Sequence, residues 1–258
     1  MARGVSLVAA AMNAPPALEA EHLFLSFGGV QAVRDVSLTV ATGEVLAIIG
    51  QNGAGKSTFL NMCTGYLRPE RGAIRIAGRP IVGLKPRAIA RLGVARAFQH
   101  PQIFPQRSVI DHLRFASVAA RPGFWNPFRS LDSPRSAQNV GELLAFFALE
   151  GMAEQPVRGI PEGARKLLDV AMALALVPTL ILLDEPTSGV SSAEKLGLMT
   201  RLVAALRARG VSAVFVEHDM DVVARFADRV AVWVDGEIFR VGSPEEVLAD
   251  PEVKAHLL

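Results

Sequence analysis

Glu44-Val45-Leu46-Ala47-Ile48-Ile49-Gly50-Gln51-Asn52-Gly53-Ala54-Gly55-Lys56-Ser57-Thr58 decides the reading of this chain. The first half is a short apolar run ending in glycine, the pattern of a strand buried on both faces. The second half fits G-x-x-x-x-G-K-[ST], and the run Thr58 to Thr64 after it suits a helix. Strand, glycine-rich turn and helix in that order are the context this motif needs. Its glycines let the backbone wrap until successive N–H groups point inward at phosphate oxygens. Lys56 then neutralises the β- and γ-phosphates and Ser57 offers a hydroxyl to Mg²⁺. The helix N-terminus adds a partial positive charge.

Leu180-Ile181-Leu182-Leu183-Asp184-Glu185 supplies a second half of the same chemistry. Four apolar residues bury a strand, and Asp184 emerges at its carboxyl end, where ligands bind in α/β sheets. Asp184 is expected to hold Mg²⁺ through water, and Glu185 to orient or deprotonate a water attacking the γ-phosphate. An Asp-Glu pair closing a strand also fits a solvated turn, and the first motif is what favours the catalytic reading.

The surrounding pattern is mixed α/β. Leu23 to Phe27 and Val36 to Val40 alternate like half-buried strands. Ala73 to Ile76 precedes the turn Gly78-Arg79-Pro80, and Val214 to Val216 reads as a buried strand. Val230 to Val234, Asp235-Gly236 and Ile238 to Val241 read as a hairpin. Ser108 with Asp111 starts a helix; Ser191 with Glu194 predicts a capping box, and Gly210 closes that helix. Ser243-Pro244-Glu245-Glu246 opens another. Arg121 to Ser136, with Phe124, Trp125 and Phe128, reads as a loop or insertion. Its aromatics either meet a membrane partner or lipid headgroups, or pack on their own subdomain.

Composition bounds the partners. In 258 residues, 27 Lys and Arg stand against 25 Asp and Glu, a net charge of +2, which makes no electrostatic case for nucleic acid. A single cysteine, Cys63, excludes a disulfide framework and suits a reducing compartment. Mean hydropathy is high at +0.31. The longest apolar run, Val170 to Leu183, has 14 residues and contains Pro178, short of the ~20 a spanning helix needs. Arg3, the apolar Val5 to Met12, and Pro15-Pro16 have the charge order of a secretory signal. They are read instead as an N-terminal extension, residues 1–18.

With both motifs in place, the chain resembles the ATP-binding subunit of an ABC transporter over residues 19–258. The resemblance implies an ABC-type P-loop NTPase: a mixed central sheet, an antiparallel β subdomain, and an α-helical subdomain at about 100–177. It implies ATP and Mg²⁺ as ligands. Gly50, Asn52, Gly53, Ala54, Gly55, Lys56, Ser57 and Thr58 would hold the nucleotide, and Phe27 takes the place of the aromatic that stacks on adenine. Gln99 takes the place of the glutamine linking the γ-phosphate and Mg²⁺ to the transmembrane partner, and His218 that of the histidine contacting the γ-phosphate. Glu185, His218, Gln99 and Lys56 are thus the expected catalytic set, and Ser57, Gln99 and Asp184 the metal set.

Two segments depart from the family pattern. The signature, roughly L-S-G-G-Q, reads Ile160-Pro161-Glu162-Gly163-Ala164 here. Gly163 is the residue expected to meet nucleotide in trans, on a second subunit. Pro161 has neither hydroxyl nor N–H to offer phosphate, though it suits the first turn of a helix. Ser191 stands where the family often has an aspartate that couples the two sites of a dimer.

Phe27 to Val33, Thr64 to Pro69, Ala90 to Gln99 and Asp250 to Val253 resemble the ATPase subunits of branched-chain amino-acid importers. That branch implies import driven through membrane permease subunits. A second ABC ATPase subunit would complete a homo- or heterodimer, and a substrate-binding protein would act indirectly. The place would be the cytoplasmic face of the plasma membrane, as a peripheral protein. A soluble ABC ATPase unconnected with transport, and a degenerate regulatory subunit with weak ATPase, remain alternatives.

Overall fold

A computed structural model describes residues 15–97, 103–119 and 134–257 of the chain. The expected extension at 1–18 falls mostly outside these residues, as do Gln99, Leu258 and most of the 121–136 segment.

Among the described residues, ten strands form two sheets. The larger has six strands: β3 (Val45–Gly50), β6 (Val94–Ala97), β7 (Leu180–Asp184), β8 (Ser212–Val216), β9 (Arg229–Val234) and β10 (Glu237–Gly242), in the order β10-β9-β3-β8-β7-β6. All neighbours are parallel except the β9–β10 hairpin. Every residue of β3, β7 and β8 is buried. Their unbroken apolar character follows, because each strand faces a core on both sides. Val45, Ala47 and Ile49 pack into one core with Ile181, Leu183, Ala213 and Phe215. Leu46 and Ile48 pack into the other with Leu180, Leu182, Val214 and Trp233.

The second core lies under the smaller sheet, β2-β1-β4-β5, formed by β1 (Leu18–Phe27), β2 (Val30–Val40), β4 (Arg71–Ile76) and β5 (Arg79–Pro80). Here one face is wet: Val36, Leu38 and Val40 are buried while Asp35, Ser37 and Thr39 are exposed. Strand β1 begins five residues before the alternation suggests. His22 and Asp35 adopt positive φ (48° each) and pair at 2.7 Å, and the β1–β2 register shifts between Ala20 and Leu23. That irregularity breaks the two-residue period that sequence reading relies on.

Nine helices are described: α1 (Lys56–Cys63), α2 (Pro86–Arg91), α3 (Val109–Ala119), α4 (Pro134–Phe147), α5 (Glu162–Ala175), α6 (Ser192–Arg209), α7 (Met220–Phe226), α8 (Pro244–Ala249) and α9 (Pro251–Leu257). Helices α3, α4 and α5 lie between β6 and β7 in the chain and pack on one another. Residues 134–136, expected in a loop, are the start of α4. The capping box expected at Ser191 does not form: Ser191 Oγ donates to Glu194 Oε2 at 2.5 Å and caps no backbone N–H. The carboxylate at the third helical position draws the hydroxyl proton and leaves the oxygen aimed away from the helix end. At Ser243 the reciprocal box with Glu246 is complete. Gly210 ends α6 at φ 63° as expected. Among the described residues, no helix is long and apolar enough to cross a membrane.

Candidate functional site

Strands β3, β7 and β8 are adjacent and parallel, so their carboxyl ends bring Gly50, Asp184 and Val216 to one edge. From each end the chain turns into a candidate site segment.

After β3 the glycine-rich loop closes tightly. Gly55 precedes α1 at φ 103°, and a Cβ there would lie 2.1 Å from Ala32 O. A Cβ at Gly50 would meet Trp233 O at the same distance. No residue with a side chain fits either place, which explains both glycines without reference to ligand. Trp233 is fully buried against Phe59 of α1, ring centroids 5.2 Å apart, and its indole N–H has no hydrogen-bond partner among the described residues.

Lys56 is buried, and its ammonium donates to Gly50 O and Gln51 O, both at 2.7 Å. The side chain therefore lies back across its own loop. Burial pushes its pKa down, and the nearby Glu185 and Asp184 carboxylates partly offset that. Ser57 Oγ donates to Asp184 Oδ1 at 3.3 Å, so the first turn of α1 meets the end of β7. Thr58 follows, half-buried, and Asn52 and Gly53 are exposed at the loop crest while Ala54 is buried. A cleft of about 780 Å³ borders the outer limb of the loop, walled by Gly29, Gln31, Asn52, Trp233 and His256. Phe27 ends β1, 48% exposed, and is not among the residues lining that cleft.

Asp184 is itself buried. Arg96 of β6 holds its Oδ2 at 3.0 Å, and the same guanidinium donates to Asn61 Oδ1 of α1 at 2.5 Å. Sequence reading missed Arg96, because a four-residue strand carrying an arginine has no strand-like pattern. Glu185, next in the chain, adopts φ 50° and its N–H donates to Val216 O. This left-handed turn carries its carboxylate to within 3.2 Å of His218 Nε2. Glu185 and His218, both in the expected catalytic set and 33 residues apart, are thus brought together. Asp219 caps α7, accepting from the Asp221 and Val222 N–H groups, and Lys195 grips its other oxygen at 3.0 Å. That pairing holds the Asp219 carboxyl below its ordinary range.

The turn after Glu185 is clamped by two more buried charges absent from the sequence reading. Glu217 Oε1 accepts from Thr187 N–H at 3.0 Å and Thr187 Oγ1 at 2.6 Å. Lys166 Nζ of α5 donates to Glu185 O at 3.2 Å and Ser188 Oγ at 2.9 Å. No motif flagged either residue, since a charged side chain carries no sequence mark of burial. Gly163 lies in the first turn of α5 and packs toward Val190, while Glu162 leans over Gly189.

The arrangement has anion donors, a cation, a carboxylate beside a histidine, and two oxygen donors, Ser57 Oγ and Asp184 Oδ1, side by side. That pair of oxygens suits a hard divalent cation. Among the described residues no group of three His, Cys, Asp or Glu side chains that could hold a metal ion occurs, and Gln99, the third residue of the expected metal set, lies outside them.

The model of the ABC transporter family matches residues 33–188. The lipopolysaccharide export system ATP-binding protein of Acidithiobacillus ferridurans is 34% identical over 237 residues, covering 92% of this chain and 94% of that one. The high-affinity branched-chain amino acid transport ATP-binding protein of Salmonella typhimurium is 34% identical over 245 residues, covering 92% and 96%. A crystal structure of the ADP conformation of an ATP-binding cassette of an ABC transporter superposes with a TM-score of 0.83 at 27% identity, covering 93% of this chain and 97% of that one. The chain belongs to the ABC transporter family, with the fold of its ATP-binding cassettes.

Proposed function

We propose that the chain binds and hydrolyses ATP to drive a membrane permease, as a peripheral subunit on the cytoplasmic face. The observation that carries this is the meeting of the glycine-rich loop, Asp184 and the Glu185–His218 pair at one sheet edge.

In this reading ATP lays its β- and γ-phosphates along the loop N–H groups. Lys56 gives up Gly50 O and Gln51 O and turns to the phosphates, exchanging two neutral acceptors for charged ones. Glu185 accepts a proton from water as the water oxygen attacks the γ-phosphorus. The bond to the bridging oxygen breaks and ADP leaves with that electron pair. His218, hydrogen-bonded to Glu185, fixes the carboxylate and reaches the γ-phosphate. Ser57 and Asp184 would hold Mg²⁺, which supplies charge neutralisation of the phosphates when bound. Gln99 keeps its expected role of linking the γ-phosphate and Mg²⁺ to the transmembrane partner, Phe27 and Thr58 theirs as adenine and phosphate contacts, and Gly163 its own as the contact in trans on a second subunit.

Import of branched-chain amino acids, or of a related small polar solute, is the transport reading we favour. Several relatives with that name cover more than nine-tenths of the chain. The lipopolysaccharide-export relative at equal identity favours export as the second reading. The altered signature favours a weakly hydrolysing regulatory subunit as a third.

Two variants test the core of the proposal. Lys56→Ala removes charge-assisted hydrogen bonds of about 1.5–3 kcal/mol each, so ATP affinity falls by at least tenfold. Glu185→Gln keeps ATP binding and lowers turnover by about 10²–10⁴-fold, the contribution of a general base. Turnover within threefold of wild type in Glu185→Gln would refute the base assignment. Purifying the chain with its permeases and assaying the associated binding protein against leucine and against lipopolysaccharide separates the transport readings.

A further inference from the structure

We propose that Lys166 is a positioning residue for the hydrolytic carboxylate: it ties helix α5 to the Glu185 peptide and thereby sets where that side chain points. The proposal rests on the ATPase reading above and names a further part of the same site.

Lys166 lies one turn into α5, and its side chain is buried at 6% exposure. A lysine there loses hydration, and burial pushes its pKa down. Four carboxylates act against that loss, those of Glu162, Glu217, Glu185 and Asp169. A lysine needed only for packing would be more cheaply replaced by methionine or leucine. Its ammonium instead reaches the backbone oxygen of Glu185 and the hydroxyl of Ser188, the two ends of one tight turn.

That turn is strained. Glu185 sits at φ 50°, a conformation a non-glycine residue holds only when its surroundings over-determine it. Three contacts do so. Val216 O accepts the Glu185 N–H, Glu217 holds Thr187 by N–H and hydroxyl, and Lys166 holds Glu185 O and Ser188 Oγ. The first two come from β8 and the residue just after it, the neighbour of β7 in the sheet, and move with it. Lys166 alone of the three comes from α5, the helix that opens with Glu162 and Gly163. A shift of α5 along its axis therefore pulls on the Glu185 carbonyl. Since the Cα of Glu185 joins that peptide to the carboxylate facing His218, the carboxylate moves too.

The test compares Lys166→Met, Lys166→Arg and wild type in the full chain. Methionine keeps the unbranched stem, so no large cavity opens. The buried Asp169 and Glu217 lose a compensating charge, so urea unfolding of both variants checks that each is folded before turnover is read. ATP affinity by calorimetry should stay within about twofold, because the hydrogen bonds of Lys166 to Glu185 O and Ser188 Oγ hold the turn after β7 and not the phosphate loop. Turnover number should fall about 30- to 100-fold, the scale of an ångström of misplacement at a reacting group. Lys166→Arg, which keeps the charge and donors, should recover turnover to within about fivefold of wild type. Amide hydrogen exchange across residues 185–190 should speed up in Lys166→Met and return toward wild type in Lys166→Arg.

Unchanged turnover in Lys166→Met, equal losses in affinity and turnover, or exchange at 185–190 that matches wild type would each overturn the proposal. Lys166→Arg as poor as Lys166→Met would do the same. Lys56→Ala and Glu185→Gln run alongside keep the two readings apart. A wild-type chain that neither binds nor hydrolyses ATP defeats the ATPase reading, and the exchange data still judge the clamp.

Discussion

Replacing Arg96 by methionine isolates the charge that Asp184 leans on. The two side chains are 8% and 10% exposed and meet at 3.0 Å, so the pair is buried. Removing one partner of such a pair leaves an uncompensated charge and costs about 3–5 kcal/mol. The bond to Asn61 Oδ1 is lost with it, but that loss is not additive with the first. Methionine keeps the methylene stem, so no large cavity opens. Taking about 4 kcal/mol, and about 2–4 °C per kcal/mol for a domain of this size, the melting temperature of the ligand-free chain should fall by about 8–16 °C. The assay is urea and thermal unfolding of wild type, Arg96→Met, Asp184→Asn and the double variant. If the cost is the stranded carboxylate, Asp184→Asn relieves it, and the double variant is more stable than Arg96→Met. Magnesium with ADP should stabilise Arg96→Met more than wild type, because a divalent cation replaces the missing guanidinium. A loss under about 1 kcal/mol in Arg96→Met, or a coupling in the cycle under about 0.5 kcal/mol, would refute the reasoning.

Three further outcomes follow from local geometry. Val177, 70% exposed at φ 55° beyond the end of α5, occupies a conformation that costs a β-branched residue energy; Val177→Asn should stabilise the chain by about 0.5–1 kcal/mol in urea unfolding. Gly55→Ala drives a Cβ to 2.1 Å from Ala32 O at φ 103°, so stability should drop by about 3 kcal/mol and calorimetric ATP binding should disappear. Lys195→Met frees Asp219 from the hydrogen bond that chiefly lowers its pKa. A lowered carboxyl stabilises the fold above the unfolded value near pH 4 and loses that contribution as pH falls through the lower folded value. The acid-unfolding midpoint by circular dichroism should therefore move to higher pH in Lys195→Met, and the stability loss measured by urea unfolding should be fully present at pH 7 and shrink toward zero as pH falls below the folded value.

What could be read beforehand was what repeats or must be glycine. The apolar runs at Val45 and Leu180, the loop glycines and the Asp235-Gly236 hairpin each leave a mark in adjacent residues, and the structure has them where expected. Less legible was whatever depends on a partner distant in sequence. Strand β6 is short and carries Arg96, which makes sense only beside Asp184, 88 residues away. Lys166 and Glu217 look like ordinary surface charges until α5 and β8 converge on the same turn. The box at Ser191 failed for a local reason, since Glu194 took the hydroxyl proton. Helix α7 is seven residues long and held by the Asp219 cap, too short for a period to show.

The indole of Trp233, wedged beneath Gly50 and Gly55, makes the loop its own optical gauge. The chain has two tryptophans, and the other, Trp125, lies outside the described residues. A buried, unbonded indole emits toward the blue, and its emission responds to small changes in nearby dipoles. The loop backbone is close to the ring: a Cβ on Gly55 would lie 3.3 Å from the indole nitrogen. In a Trp125→Phe background, every rearrangement of the loop would register as a change in intrinsic fluorescence, with no label attached. The tightness that leaves no room for a methyl group at Gly55, beside the indole nitrogen, is also what gives the emission its sensitivity.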